Sequence, residues 1–600
     1  MNDYIAPLDH LRFALEHVAD FSRLTQVPGF EVWNADTTRR WLASAGRFFA
    51  DVWAPTNQPA DRAGAFLEQG RVVVYPPFAD VYRQTMEGGW NVLPRHPSPQ
   101  EPGIPWMVHA VGIELMASSN GSFSMLTGLI AGAIELLELH ASPEQQAQYV
   151  PKLRSGEWAG AMDLSEPEAG SDLGALRTKA VLQADGSYRL FGSKRFISWA
   201  DHDLTPNIVH LVLARTPNAP AGTAGISCFI VPKFLPDAQG SPGVRNDIHC
   251  AKVERNMGFR ASPTCMMQLG DAGGAVGYLI GKEGDGMRIM FTMMNSNRLA
   301  TALGAMGIAE RAYQAACAYT RLRVQGVPPG AARGAPIVHH PDVRRMLMTM
   351  RCHIDGMRAL CYFLAGCFDM ASHAPSPSER QHYQALADLL TPVAKSWCTE
   401  VGSEVTSLAI QLHGGSGFVE DTGVAQHYRD IRIMSIFEGT NGIQAQDLVA
   451  RKLARNDAEP VRQLLERLSA QAAAAQQSGD VLSASGRALA HATDCLRTAT
   501  DWMLAQSQGT SRDAISGACA YQRLFGAVVV ASLLLRGAQS AGELLNGSDS
   551  DKPGYNPRFL QARTASAGFF AEQVLPLFVA WASPAMAGCD TLFSTPEEWL

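Results

Sequence analysis

Met162-Asp163-Leu164-Ser165-Glu166-Pro167-Glu168-Ala169-Gly170-Ser171-Asp172 stands where the chain changes texture. The stretch is polar and rich in small residues. Gly170 lets a backbone approach a ligand without a Cβ clash, and Ser165 and Ser171 carry hydroxyls that donate to an electron-rich ring or a phosphate. Taken alone it is equally an ordinary loop. Its place in the chain is what counts. Before it, residues 1–160 read as mostly helical. Ile113 to His140 has apolar residues at helical spacing, and Ser142-Pro143-Glu144-Gln145 reads as a cap, a first-position proline and an acidic first turn. Tyr149-Val150-Pro151 is expected to end or bend that second helix.

After the stretch, residues 161–285 hold runs rich in β-branched and aromatic residues, such as Tyr188–Gly192, Ile208–Ala214 and Ile226–Pro232. Asp185-Gly186 is a hairpin-type turn signal. From Gly286 long helices return, through Met287–Arg323 and from Pro341 to Ala365, with a further helix ending near Gly414-Gly415. Asn456 to Pro460 reads as a boundary, and the Ala-rich helical remainder is broken at Gly537 and at the loop Asn546–Asp551. The order helix, strand, helix predicts an α+β chain that is mainly α.

Composition limits what such a chain does. Of 600 residues, 46% are hydrophobic and 18% charged, enough for a large core. A net charge of −7 argues against nucleic acid as the main partner. The 11 cysteines and 16 histidines form no cluster at metal-ligand spacing, so neither a metal nor a disulfide framework is expected. The start lacks the basic and apolar regions of a signal peptide. The longest apolar run, Phe525 to Leu535, is too short to span a bilayer. A soluble, cytoplasmic protein with no integral membrane segment is expected.

Three further segments carry chemistry. In Gly192-Ser193-Lys194-Arg195-Phe196-Ile197-Ser198, Phe196 and Ser198 share one face if the segment is a regular strand. An aromatic ring and a hydroxyl suit a flat polar heterocycle, although an ordinary half-buried strand reads the same way. Gln411-Leu412-His413-Gly414-Gly415 is a helix end whose glycines either bind a nucleotide edge or only cap the helix. In Ile433-Met434-Ser435-Ile436-Phe437-Glu438-Gly439-Thr440-Asn441-Gly442, a carboxylate lies between apolar residues and a helix-starting turn. Burial there is expected to raise the Glu438 pKa and make it a usable base; a structural carboxylate at a loop-to-helix junction is the other reading.

Together these segments resemble the acyl-CoA dehydrogenases over about residues 40–455. The matching motifs run in order: Leu164-Ser165-Glu166-Pro167 with Ala169-Gly170-Ser171-Asp172; Gly192-x-Lys194-x-Phe196-Ile197-Ser198; Met257 to Thr264; Asn295-x-x-Arg298-Leu299; Arg321-x-Arg323; Gln411-x-x-Gly414-Gly415-x-Gly417; and Phe437-Glu438-Gly439-Thr440-Asn441. Tyr4-x-Ala6-Pro7, Gly88-Gly89-Trp90, Asp203 to Arg215 and Gly439 to Leu448 look like the long subgroup, which includes the 3-methylmercaptopropionyl-CoA dehydrogenases. The resemblance implies an N-terminal extension (1–40), an N-terminal helical domain (41–160), a barrel-like middle β domain (161–285), a four-helix bundle (286–456) and an extra C-terminal helical domain (460–600).

It also implies an FAD enzyme that converts an acyl-CoA to the trans-2-enoyl-CoA and passes electrons to an electron-transferring flavoprotein. The substrate is then 3-methylmercaptopropionyl-CoA or a straight-chain acyl-CoA, and the assembly a homodimer or dimer of dimers. Glu438 matches the family's base. Met162, Leu164, Ser165, Gly170 and Ser171 match the loop around the flavin ring and its substrate side. Phe196 and Ser198 match the flavin-stacking aromatic and the hydroxyl near N5, where Trp and Thr are more usual. Arg323, Gln411, Gly415 and Thr440 match further FAD contacts, the first three on the diphosphate and adenine half and partly across a subunit interface. Arg298, Phe437 and Gly439 match the substrate side. Arg323-Val324-Gln325-Gly326 is shorter than the usual motif and lacks its aromatic, and Gly442 stands where a side chain contacts FAD; both departures concern cofactor contacts, not the chemistry. Two other functions share this core. A DNA-associated alkylation-response flavoprotein needs a basic C-terminal domain, yet residues 460–600 hold ten Lys/Arg against twelve Asp/Glu. An acyl-CoA oxidase differs only in letting O2 reoxidise the flavin.

Overall fold

The computed structural model describes residues 4–91, 93–97, 102–478, 480–506, 511–547 and 554–600. The chain forms two compact units. One comprises residues 49–93 and 119–300, and the other takes residues up to 48, 94–118 and 301–600. Residues 548–551 of the expected break at Asn546–Asp551 lie outside the described residues.

The described residues of the unit 49–93 and 119–300 hold twelve strands: β1 Phe66–Glu68, β2 Arg71–Val73, β3 Trp158–Asp163, β4 Lys179–Leu182, β5 Tyr188–Ser198, β6 Asn207–Arg215, β7 Ile226–Pro232, β8 Phe234–Pro236, β9 Pro242–Arg245, β10 Ile248–Val253, β11 Thr264–Leu269 and β12 Ala275–Ile280. The main sheet runs β10-β11-β5-β12-β7-β6-β3, and β4 pairs with both β5 and β6. That double pairing closes β4, β5, β12, β7 and β6 into a barrel-like ring. β6 and β7, which alternation cannot explain because both faces are apolar, are buried along nearly their whole length. Asp185-Gly186 turns β4 into β5, with Gly186 at φ 85°.

Ahead of the sheet, Ser142 caps the helix Pro143–Arg154: its Oγ accepts from Gln145 N–H at 3.3 Å, and Gln145 Oε1 accepts from Ser142 N–H at 3.0 Å. Of the two outcomes expected at Tyr149-Val150-Pro151, an end or a bend, the helix does not end there; Pro151 lies inside its last turn.

The other unit is helical. Pro341–His373 and Pro377–His413 pack along each other, joined by a connection in which Ser376 and Glu379 form a second capping box. The first of these runs past the expected end at Ala365. After them come Glu459–Gln476, Asp480–Gln506, Arg512–Asn546 and Pro557–Phe569. Three consecutive left-handed residues, Asn456, Asp457 and Ala458, turn the chain into that last group. Arg512–Asn546 lies close on the preceding helices because two glycines leave room. A Cβ on Gly356 would stand 2.5 Å from Val530 Cγ1, and one on Gly526 would stand 2.6 Å from Trp397 Cδ1.

The run Phe525–Leu535 belongs to this 35-residue helix, so its length understates the apolar span. By length and composition alone, Arg512–Asn546, Trp106–His140 and Pro557–Ala585 are each long and apolar enough to cross a membrane. In Arg512–Asn546, 83% of the most apolar window is buried within the protein, so helix packing accounts for its apolarity.

A buried ion network also organises this unit. Arg358 pairs with Glu114 at 2.5 Å and Glu310 at 3.0 Å, and Arg351 pairs with Asp355 at 2.9 Å. Asp355 further receives Arg563 Nη1 at 2.5 Å and Ser566 Oγ at 3.1 Å, and lies 3.3 Å from His10 Nδ1. Burial and the neighbouring guanidiniums of Arg351 and Arg563 push the His10 pKa down to about 3, so it is neutral at physiological pH. Three arginines then balance Glu114, Glu310 and Asp355.

Candidate active site

In the strand-bearing unit, Met162 lies near the end of β3, which leads into the loop carrying Leu164, Ser165, Gly170 and Ser171. Met162 and Ser165 are half-buried, Leu164 is buried, and Gly170 and Ser171 are exposed. The loop is held by a buried ion pair. Lys194 Nζ on β5 donates to Glu166 Oε1 at 2.8 Å and to Leu164 O at 3.0 Å, with both side chains almost fully buried. Glu166 also accepts from the N–H groups of Arg177 (2.6 Å) and Thr178 (3.1 Å) and from Thr178 Oγ1 (2.6 Å). Burial pushes the Glu166 carboxyl up, but the Lys194 ammonium and these donors outweigh it and hold the pKa below the usual range.

β5 brings Phe196 beside this loop by an irregular route. Between Lys194 and Ile197 it carries one more residue than β11 does between Met267 and Cys265, a β-bulge. Phe196 takes φ 63°, so the segment is not a regular strand at this point, although Phe196 and Ser198 still flank the buried Ile197. Ile197 enters the core, Ser198 is half-buried, and the Phe196 ring is 57% exposed beneath the Arg195 guanidinium at 4.6 Å. Arg195 N–H donates to Ser165 O at 2.9 Å, tying the bulge to the loop. Arg298 lies buried on the helix Gly286–Leu322, its Nη1 3.4 Å from Asn295 Oδ1, and the adjacent Asn297 Nδ2 reaches Met162 Sδ at 3.9 Å. Seven expected site residues therefore belong to this unit along with Arg298.

In the helical unit, Glu438 sits on a turn between the 3-10 turn Arg432–Ser435 and the helix Asn441–Asp447. Glu438 takes φ 56° and Gly439 φ 83°. The first is a left-handed conformation that costs a non-glycine residue about 1–2 kcal/mol. Thr440 caps the next helix, its Oγ1 accepting from Ile443 N–H at 3.1 Å. Gln444 Nε2 donates to Glu438 O at 3.2 Å, and Lys395 Nζ donates to Gly439 O at 2.8 Å and Asn441 Oδ1 at 3.0 Å. The expected apolar wrapping is only partial: Glu438 and Phe437 are half-buried, while Ile433 and Ile436 are exposed.

At another part of this unit the Tyr319 and His413 rings stack at 4.4 Å, which brings the end of Gly286–Leu322 beside the end of Pro377–His413. Gln411 lies in the last turn of Pro377–His413, Arg323 and Gly415 follow the two helix ends, and all three are exposed. The shortened loop is ordered by Ile337 N–H donating to Arg323 O at 2.7 Å and by Arg323 Nη2 donating to Gln325 Oε1 at 3.2 Å.

Sequence reasoning gave no role to Lys395, Glu166 or Lys194. One signal for Lys395 was available. It is a lone cation in Leu389-Leu390-Thr391-Pro392-Val393-Ala394-Lys395-Ser396-Trp397, and a lysine inside an apolar helical face must find partners. Among the described residues no three His, Cys, Asp or Glu side chains gather to hold a metal ion. A cavity of about 320 Å³ in the helical unit is lined by groups outside the motifs, including His353, Glu400, Glu404, Arg523 and Trp581.

Comparison with known proteins agrees with these features. The chain matches the acyl-CoA dehydrogenase middle domain over residues 161–272, the acyl-CoA dehydrogenase C-terminal domain over 284–453, and an acetyl-CoA dehydrogenase C-terminal like domain over 459–596. It is 40% identical to the 3-methylmercaptopropionyl-CoA dehydrogenase of Ruegeria pomeroyi over 95% of this chain and 96% of that one. The Caenorhabditis elegans ACDH-11 structure in complex with C11-CoA superimposes with a TM-score of 0.76 at 20% identity, covering 96% of this chain and 94% of that one. The Bacillus anthracis acyl-CoA dehydrogenase complexed with FAD gives 0.71 at 21% identity, covering 95% and 91%. These two share the fold expected from the motifs. The chain belongs to the acyl-CoA dehydrogenase family and is an oxidoreductase of that family carrying an additional C-terminal helical domain.

Proposed function

We propose that the protein is an FAD-dependent dehydrogenase that converts an acyl-CoA thioester to its trans-2-enoyl-CoA, with Glu438 removing the α-proton. The observation that carries this is the Glu438 turn: a half-buried carboxylate kept in a left-handed conformation by Lys395 and Gln444. Strained backbone at a carboxylate of the Phe437-Glu438-Gly439-Thr440 motif accords with a reacting group. The Glu438 carboxylate takes the proton, and its backbone N–H donates to the thioester oxygen, stabilising the enolate charge that develops as the proton leaves.

The residues present fit FAD. The exposed Phe196 ring supplies a stacking face, Gly170 has only open space where a Cβ would stand, and Ser165, Ser171 and Ser198 supply hydroxyls. Bound FAD supplies the acceptor for the β-hydride. Thr440 adds a cofactor contact, Arg298, Phe437 and Gly439 border the substrate, and Arg323, Gln411 and Gly415 hold the adenine half, partly across a homodimer. Electrons pass onward to an electron-transferring flavoprotein. Of the acyl chains, 3-methylmercaptopropionyl-CoA is favoured by the 40% identity to the Ruegeria pomeroyi enzyme. We place the domain boundaries at residues 40, 160, 285 and 456.

Anaerobic bleaching of the flavin by a panel of acyl-CoAs tests this reading. 3-Methylmercaptopropionyl-CoA or a straight-chain acyl-CoA is expected to bleach it, and slow reoxidation in air to separate a dehydrogenase from an oxidase. Glu438→Gln is expected to stay yellow while the bleaching rate drops by about 10³-fold or more. Loss of FAD from that variant, or no bleaching of the parent by any acyl-CoA, rejects the proposal.

A further inference from the structure

The turn bearing Glu438 is anchored from the C-terminal segment. Arg523, on the helix Arg512–Asn546, donates from Nε to Glu400 Oε2 at 2.6 Å, and its guanidinium lies 4.6 Å over the Trp581 ring. The other Glu400 oxygen accepts from Asn441 Nδ2 at 3.3 Å. Asn441 begins the helix after Glu438, and its Oδ1 accepts from Lys395 Nζ (3.0 Å) and Thr399 Oγ1 (3.2 Å). Lys395, fully buried, closes the path on Gly439 O at 2.8 Å, one residue from Glu438.

We propose that Lys395 and Arg523 are positioning residues, and that Arg523, acting through Glu400 and Asn441, makes the C-terminal helical segment part of the support for the Glu438 turn. The physical case rests on backbone conformation and on satisfaction of buried charge. A glutamate does not favour φ 56° by itself, so neighbouring bonds must fix it. Gly439 leaves no slack, because a Cβ there would stand 2.6 Å from Gln444 Nε2. Arg523 orients Glu400, Glu400 orients the Asn441 amide, and that orientation presents Oδ1 rather than Nδ2 to the Lys395 ammonium. Without Arg523, the Glu400 carboxylate is free to turn, and the Asn441 amide keeps only Ser396 O at 3.4 Å and Thr399 Oγ1 at 3.1 Å as acceptors for Nδ2, a looser hold on the group that anchors Lys395. A group that must meet a C–H bond in the right geometry loses rate steeply on small displacement.

The inference rests on Glu438 being the base, and the test separates the two. In the FAD-loaded full-length protein, Arg523→Gln and Lys395→Met are expected to bleach about tenfold or more slowly. FAD content and acyl-CoA affinity should stay within about twofold of the parent. The isotope effect with α-deuterated acyl-CoA should grow, because proton removal becomes more limiting, and Arg523→Lys should restore most of the rate. Parental bleaching in both variants overturns the proposal. So does a slower rate that tracks lost FAD with an unaltered isotope effect, which marks a purely structural role. If Lys395→Met does not fold, Glu400→Gln is read by the same criteria. A Glu438→Gln variant that bleaches normally rejects the base assignment itself; an inactive one beside a parental Arg523→Gln rejects only the positioning.

Discussion

Two buried carboxylates show how differently neighbours set charge. Glu166 is held below its usual range by Lys194, so its contribution to stability is present at neutral pH and lost only as pH falls through its folded value in acid. Asp369 is the opposite case. Burial raises it to about 7, against hydrogen bonds from Trp106 N–H at 2.7 Å and Met107 N–H at 3.1 Å. The folded state therefore holds a proton on Asp369 across a window in which the unfolded chain, with an aspartate near its usual value of about 3.9, does not. Stability from this group declines as pH rises from about 4 to about 7. Asp369→Asn should flatten that decline, by an amount on the order of 4 kcal/mol in chemical unfolding across the window. An unchanged slope would show that Asp369 does not titrate there. Neither carboxylate's behaviour was readable in the sequence, because Asp369 meets its partners 263 and 262 residues away.

At the level of elements, motif and texture carried most of the reading. Apolar β-branched runs located β5, β6 and β7, and the Ser-Pro-Glu-Gln signature located the start of Pro143–Arg154. Pro151 misled because a proline in the last turn forfeits little that the helix end has not already lost. The Phe196 bulge was hidden for another reason: a bulge is a difference in residue count between two strands, here β5 and β11, and no single strand records it. The bulge yields a prediction in which stability and function part. Phe196→Gly removes a left-handed non-glycine residue and should raise the unfolding stability of the apoprotein by about 1 kcal/mol. The same change removes the exposed ring and should weaken FAD retention through gel filtration. A variant that loses stability would show that the ring packs against the protein rather than a cofactor.

On the scale of the whole molecule, the family, its fold and most candidate site positions were legible as spaced motifs, while what joins the two ends of the chain was not. His10, Asp355 and Arg563 are far apart in sequence and meet in one buried network of the helical unit. Arg563→Met leaves Asp355 short of a cation in the interior and should cost about 3–5 kcal/mol, read as a lower urea midpoint for the unit holding residues 301–600. A loss below about 1 kcal/mol would show that Arg351 alone suffices for Asp355.

That network also sets a clock on synthesis. At roughly 5–20 residues per second, the ribosome adds Arg563 on the order of a minute after His10. Throughout that interval the first helix, Leu8–His17, has emerged without the charges that complete its surroundings. The strand-bearing unit, whose last residue is Ala300, has all its parts far earlier. Birth order and folding order therefore diverge: residues made early, such as His10, are among the last to find their final partners.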